Sequence, residues 1–350
     1  MHIDSSPSAS PFGEATNGKG WYKELNSYHW LVLLVAALGW MFDTMDQQLF
    51  NLARVPAMRE LLHVRPGDTS MNGQIAEYAG YATAIFMIGW ATGGVIFGIL
   101  GDRIGRAKTM ILTILFYSLF TGLSVLSTNV WDFSFYRFLT GLGVGGQFSV
   151  GVALVAEVMP SRARPYALGS VQALSAIGNM TAAVIGIVLG RLQQSGAIAS
   201  AWRPMFLVGA LPALLAIVVF RRLKEPDQWQ AQNAARTDGK KQLGSVAEMF
   251  TDPRWRKNAL IGMAIAFSGV VGLWGIGFFS FDLIGSVLDK TFRAQHMPEN
   301  MIAGQKTLWT GITSLLQNLG GFFGVYAYTY VTAYIGRRWA FAISFVAAMI

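Results

Sequence analysis

The sequence predicts an all-α membrane protein, a six-helix unit followed by the start of a second, and three observations predict it. Only 13% of the 350 residues are charged, 53% are hydrophobic and the mean hydropathy is +0.41, where a soluble chain carries about a quarter charged residues. Apolar runs of about 20 residues, the length that crosses a hydrocarbon core about 30 Å thick, recur along the chain. The longest polar interruption, KEPDQWQAQNAARTDGKKQLGSVAEMFTDPRWRKN at 224–258, falls after the sixth run.

In chain order, residues 1–27 lack the charged, apolar and cleavage regions of a secretory signal. They read as a disordered cytosolic tail, with Trp21 and Tyr22 resting at the interface. Six spans, 28–53, 75–100, 109–127, 130–159, 164–189 and 202–223, make an N-terminal bundle over 28–223. Residues 224–257 form a cytosolic linker, in which Ser245 and Glu248 have capping-box spacing, so GSVAEMF reads as a short amphipathic helix along the membrane face. Spans at 258–288 and 307–334 begin a second bundle over 258–350. A ninth run, RWAFAISFVAAMI, reaches 13 residues at Ile350, too few to span, so the chain is expected to be a fragment.

With the N-terminus inside, the inside segments carry 18 Lys and Arg and the outside segments 8. This is the asymmetry of a plasma (inner) membrane protein with a cytosolic N-terminus. The net charge of +8 therefore reads as topology, and no basic stripe interleaved with aromatics points to nucleic acid. Cysteine is absent, which excludes disulfides, thiolate metal sites and thiol catalysis. The four histidines, His2, His29, His63 and His296, are scattered. No catalytic set, metal site or cofactor motif forms, so an enzyme is not expected.

The stretch GWMFDTMDQQLF at 39–50 puts Asp43 and Asp46 behind an apolar run from 28 to 42. That run alone covers only about 22 Å, and LFNLA beyond the glutamines stays apolar, so both carboxylates are expected inside the membrane. By helical rise, Asp43 lies about 20 Å and Asp46 about 24 Å from the inner surface, and Arg137 of the fourth span lies about 20 Å from it. A charge at such depth costs about 2.5–3.5 kcal/mol on insertion scales, so pairing between these groups is expected. Arg137, Gly141, Gly145, Ser149, Ala153 and Glu157 fall four apart and form a stripe of small or ionisable residues against which a partner helix, the first by preference, presses. GLGVGG at 141–146 matches the dinucleotide fingerprint in letters, but lies inside a membrane-length run with no preceding strand.

GILGDRIGRAKTM at 98–110 is expected to be a loop. Gly94 and Gly98 allow close helix approach, Gly101 and Gly105 a tight turn. Asp102 is placed to accept from a neighbouring helix N-terminus and to pair with Arg106, a contact made in one conformation and broken in another. AYIGRRW at 333–339 repeats DRIGRAK at 102–108 with an offset of 231 and with Ala333 in place of Asp102, the mark of two related halves.

The G-x-x-x-D-R-x-G-R-x-K pattern resembles the signature loop of the major facilitator superfamily. RFLTGLGVGG at 137–146 and EVMPSRAR at 157–164 resemble two further elements of that family. The resemblance implies two six-helix bundles of inverted repeats rocking around a midplane site, the second bundle incomplete in this chain. It implies a conformational latch of Gly98, Asp102, Arg103, Gly105, Arg106, Glu157 and Arg164. In the family's sugar porters and aromatic-acid:proton symporters, the first helix carries G-Y-D or D-G-x-D. Asp46 aligns with the final acid and Asp43 with the first, with Thr44 in place of the glycine. This assigns proton coupling to Asp46, with Arg137 tuning it and Asp43 in support. GSVQALSAIG at 169–178 resembles the sugar-porter stretch that holds a substrate-binding glutamine, here Gln172. Asn179, Trp274, Phe278, Gln317 and Asn318 are further candidate contacts, whereas the seventh span lacks the paired glutamines of sugar porters.

The function implied is proton-coupled symport of a small organic solute, an organic or aromatic acid in preference. A sugar:proton symporter or facilitator is the alternative, and a non-transporting sensor the reading from another class. The partners are substrate, protons and lipid, with the protein working as a monomer.

Overall fold

A computed structural model of the chain describes residues 21–65, 68–237 and 250–349. The helices are α1 (Ser27–Leu61), α2 (Asn72–Ile104), α3 (Arg106–Leu123), α4 (Val130–Val158), α5 (Arg164–Gln194), α6 (Trp202–Gly209), α7 (Ala213–Arg222), α8 (Asp227–Thr237), α9 (Pro253–Ala294) and α10 (Glu299–Met349). No strand occurs among the described residues. By length and apolarity, α1 to α5 can each cross a bilayer.

Their ends follow local chemistry. Asn26 caps α1 reciprocally with His29: its side-chain oxygen accepts from the His29 N–H at 2.9 Å, and its own N–H donates to His29 Nδ1 at 3.2 Å. Asn129 caps α4 by accepting from the N–H groups of Trp131 and Asp132. Most of the 1–27 tail and the GSVAEMF segment expected as a helix lie outside the described residues. Trp21, expected at the interface, stacks on Tyr166 at 5.6 Å.

Several boundaries differ from the sequence expectation. Helix α1 continues eight residues past Ala53, through Pro56, because the bundle rather than solvent receives its last turns: Arg54, Ala57, Met58 and Leu61 are buried. The segment expected as a loop at 98–110 is helical up to a single break at Gly105, whose φ of 114° only glycine adopts freely. Gly101 is accordingly a packing glycine, touching Val150 and Arg106, and not a turn residue. The sixth span is two helices. Pro212 has no N–H to give to the Val208 carbonyl, which accepts from Leu211 instead, and the chain turns through i−3 bonds there. The linker opens with a helix, α8, that the polar composition concealed.

Helices α1 to α7 enclose two apolar clusters. One is centred on Val35, Met110, Ile114 and Leu154, the other on Phe50, Phe86, Phe133 and Phe206. Helix α2 lies along α4, α1 along α5, and α10 packs against α5 across the seam to the second half, with α9 on α10. Helix α10 is interrupted at Gly336, with φ 78° and ψ 162°. That glycine stands in the second copy of the sequence repeat, and Gly105 in the first copy has φ 114° and ψ 153°. The two copies share one backbone break.

Candidate functional site

The fold brings the intramembrane charges together. Asp46 and Arg137 are both fully buried, with Arg137 Nη1 3.5 Å from Asp46 Oδ2. The pair is single-stranded and longer than the 2.7–2.9 Å of a tight charge-assisted bond. Thr121 donates to the other oxygen of Asp46 at 2.9 Å. The second Nη of Arg137 donates to Ser124 Oγ at 2.8 Å and Thr140 Oγ1 at 3.1 Å. Three aromatic rings surround the guanidinium, Phe206 at 4.5 Å, Phe50 at 5.8 Å and Phe133 at 6.0 Å. Arg137 is thus held by neutral hydroxyls and π faces as well as by its counter-ion.

Asp43 lies three residues earlier, fully buried, and faces Tyr117; neither carboxylate oxygen makes a hydrogen bond of normal geometry. It lines a cavity of about 10 Å³ with Trp40, Gln147 and Phe148, enough for one water.

The helix pressed on the glycine stripe of α4 is α2, not α1. A Cβ at Gly141 would strike the Phe86 carbonyl, and one at Gly145 the Trp90 carbonyl, while Gly89 and Gly93 of α2 lie equally close on the α4 backbone. Helix α1 reaches Arg137 from another side, because that stripe is filled by backbone rather than by a long side chain.

At the far end of α2, Arg106 is the hub of the expected latch. It pairs with Asp102 at 2.6 Å and with Glu157 at 2.8 Å. Its Nε donates to the same Glu157 oxygen at 3.1 Å. The carboxylate on the α3 N-terminus is that of Glu225, not Asp102: it accepts from the N–H groups of Ala107 and Lys108 at 3.1 and 3.2 Å. A free helix N-terminus attracts an anion, and Asp102, one turn back on α2, is already committed to Arg106. Trp229 of α8 donates to the Asp102 carbonyl at 2.9 Å. Gly105 lies against the Glu225 carboxylate, and Gly98 is near Ser149. Arg103 is exposed, and Arg164 Nη2 reaches the Met159 carbonyl at 3.4 Å. Sequence reasoning missed Glu225 and Trp229; the KEPDQW stretch was their signal.

The candidate substrate contacts are split. Asn179 donates to Asn318 Oδ1 at 2.7 Å across the α5–α10 seam. Gln172 and Gln317 are exposed. The side chains of Trp274 and Phe278 lie outside the described residues. Residues not singled out from the sequence complete the seam: Gln48 donates to Ser314 at 3.0 Å, and Asn51 to Gln48 at 3.3 Å.

Apolar helices of membrane length, a buried inter-helix ion pair and a glycine-broken repeat define a polytopic helical membrane protein with two related halves. Residues 31–295 match the family profile of the Major Facilitator Superfamily, and the chain belongs to that family. It is an integral membrane protein of a family of transporters, not enzymes. It is 32% identical over 212 residues to a putative metabolite transport protein of Haemophilus influenzae, covering 61% of this chain and 48% of the relative. It is 29% identical over 201 residues to a niacin transporter of Acinetobacter baylyi, covering 57% and 42%. The chain thus spans about half the length of the curated relatives it matches. Among solved structures, the proton:xylose symporter XylE bound to 6-bromo-6-deoxy-D-glucose superposes with a TM-score of 0.58 at 17% identity, over 89% of this chain and 70% of that one. That likeness shows the two-bundle fold.

Proposed function

We propose that the full-length protein is a proton-coupled symporter of a small organic acid, working as a monomer by alternating access in the plasma membrane with a cytosolic N-terminus. The observation that carries this reading is the buried Asp46–Arg137 pair, joined by one 3.5 Å contact and flanked by hydroxyls. Two charges this deep are costly, and a single loose contact repays little of that cost. The arrangement suits a proton that comes and goes.

Protonation of Asp46 removes its attraction for Arg137, while Ser124, Thr140 and Phe206 keep the guanidinium in place. Deprotonation restores the pair. The change of charge at α1 is thereby available to bias the packing of α1 against the rest of the bundle and the seam. The niacin relative and the buried guanidinium of Arg137 favour an acid as substrate. Asp102, Arg106 and Glu157, with Glu225 capping α3, act as the latch that holds the α2–α4 end of the first bundle in one conformation.

Uptake into proteoliposomes of nicotinate, benzoate and xylose, each with and without an inward proton gradient, tests the reading. Gradient-driven entry of a carboxylate supports it, while entry of xylose alone replaces the substrate class. Entry indifferent to the gradient removes the coupling.

A further inference from the structure

Arg54, one residue past the apolar run at 28–53, lies within α1 and is only 1% exposed. Its Nη1 donates to Thr83 of α2 at 2.8 Å, and its guanidinium lies 5.7 Å from the ring of Phe279 on α9. The residue therefore touches both halves of the molecule at the seam where they meet. Gln48, Asn51 and Arg54 stand three residues apart along the side of α1 turned to that seam. Gln48 holds Ser314 of α10, Asn51 holds Gln48, and Arg54 faces Phe279. Asp46, on a different side of the same helix, faces into the first bundle.

We propose that Arg54 recognises the carboxylate of the substrate when α1 and α9 part, with Phe279 supplying an aromatic face beside it and Asn51 and Gln48 a polar floor. The inference rests on the organic-acid reading above and deepens it. A guanidinium presents a planar fork that matches a carboxylate in two parallel bonds, and it keeps its charge in an apolar site where a lysine gives it up. Phe279 is half-exposed on the seam, a surface that an aromatic or flat substrate covers. Eight residues separate Arg54 from Asp46, about 12 Å along the helix. A carboxylate at Arg54 is then out of reach of the proton on Asp46, and substrate and proton have separate sites on one helix.

The test uses the full-length protein in proteoliposomes and two pairs of probes, nicotinate with its amide and benzoate with its amide. KM is measured for each carboxylate and the inhibition constant for each amide, alongside proton entry from an internal pH dye. Arg54→Gln is expected to raise KM for both carboxylates at least about tenfold while leaving amide inhibition within about twofold, so that the preference for the acid collapses. Protons per carboxylate stay unchanged. Arg54→Lys is expected to fall between, keeping a hydrogen-bond donor but neither the fork nor a secure charge. Should Arg54→Gln not fold, Arg54→Lys together with Phe279→Leu, a change at an exposed ring, decides: a rise in carboxylate KM of about threefold or more in each supports the assignment. Unchanged carboxylate KM, or parallel loss of carboxylate and amide, overturns it and leaves organic-acid symport standing. A wild-type protein that moves neither carboxylate removes the organic-acid reading itself, and the proposal with it.

Discussion

Asp46 and Arg137 show how much a depth argument can do and where it stops. Counting 1.5 Å per residue from the ends of two apolar runs brought them to similar depths, and the folded bundle holds them 3.5 Å apart. The hydroxyls of Thr121, Ser124 and Thr140 and the ring of Phe206 were not legible, because a serine in an apolar run says nothing of what it faces. Asp46→Asn keeps the shape and loses the proton. Active uptake of the carboxylate is expected to fall by about a hundredfold or more, the scale of losing a general acid–base group, while substrate counterflow persists; loss of both would move Asp46 from coupling to binding or folding. Arg137→Leu leaves Asp46 without its guanidinium in a fully buried setting, and the expected destabilisation is about 3–5 kcal/mol, read from thermal denaturation in detergent. The double variant Arg137→Leu with Asp46→Leu is expected to recover most of that loss, since it removes the stranded charge.

Among the elements, the α2–α4 contact is the one most exposed to test. Its glycines let two backbones meet, so a side chain there has no room to relax into. Gly145→Val is expected to cost at least about 1–3 kcal/mol, the range for overpacking, and to lower the yield of monodisperse protein in size-exclusion chromatography. Gly105→Ala carries a different penalty. Its φ of 114° lies where an L side chain is strained, and a Cβ would press on the Glu225 carboxylate that caps α3. A loss of about 1–3 kcal/mol is expected, with Glu225→Gln losing about 0.5–2 kcal/mol through the weaker cap alone. Thermal midpoints of the two variants separate backbone strain from capping. The Asp102–Arg106 pair was readable in the letters of 98–110, but the partner of the α3 N-terminus lies over a hundred residues away, beyond anything periodicity can report.

For the whole molecule, the seam between the halves is the part that the proposed symport cycle has to open. Asn179 and Asn318 bridge it at 2.7 Å, and the chain has no cysteine of its own. An Asn179→Cys, Asn318→Cys pair is expected to crosslink under mild oxidation and to stop uptake reversibly, with reductant restoring it. Uptake that continues through a quantitative crosslink would mean that α5 and α10 do not separate in the cycle. Composition and run length by themselves determined that the chain is helical and membrane-embedded and that two acids lie inside the first helix, because hydrophobic length and the cost of buried charge depend only on local sequence. The motifs placed it in its family. Only the tertiary structure decided that α2 rather than α1 fills the glycine stripe, that Glu225 rather than Asp102 caps α3, and that Arg54 belongs to the seam rather than to a loop. Each of these is a choice among neighbours, and neighbours are set by packing across the bundle, which no single stretch of sequence contains.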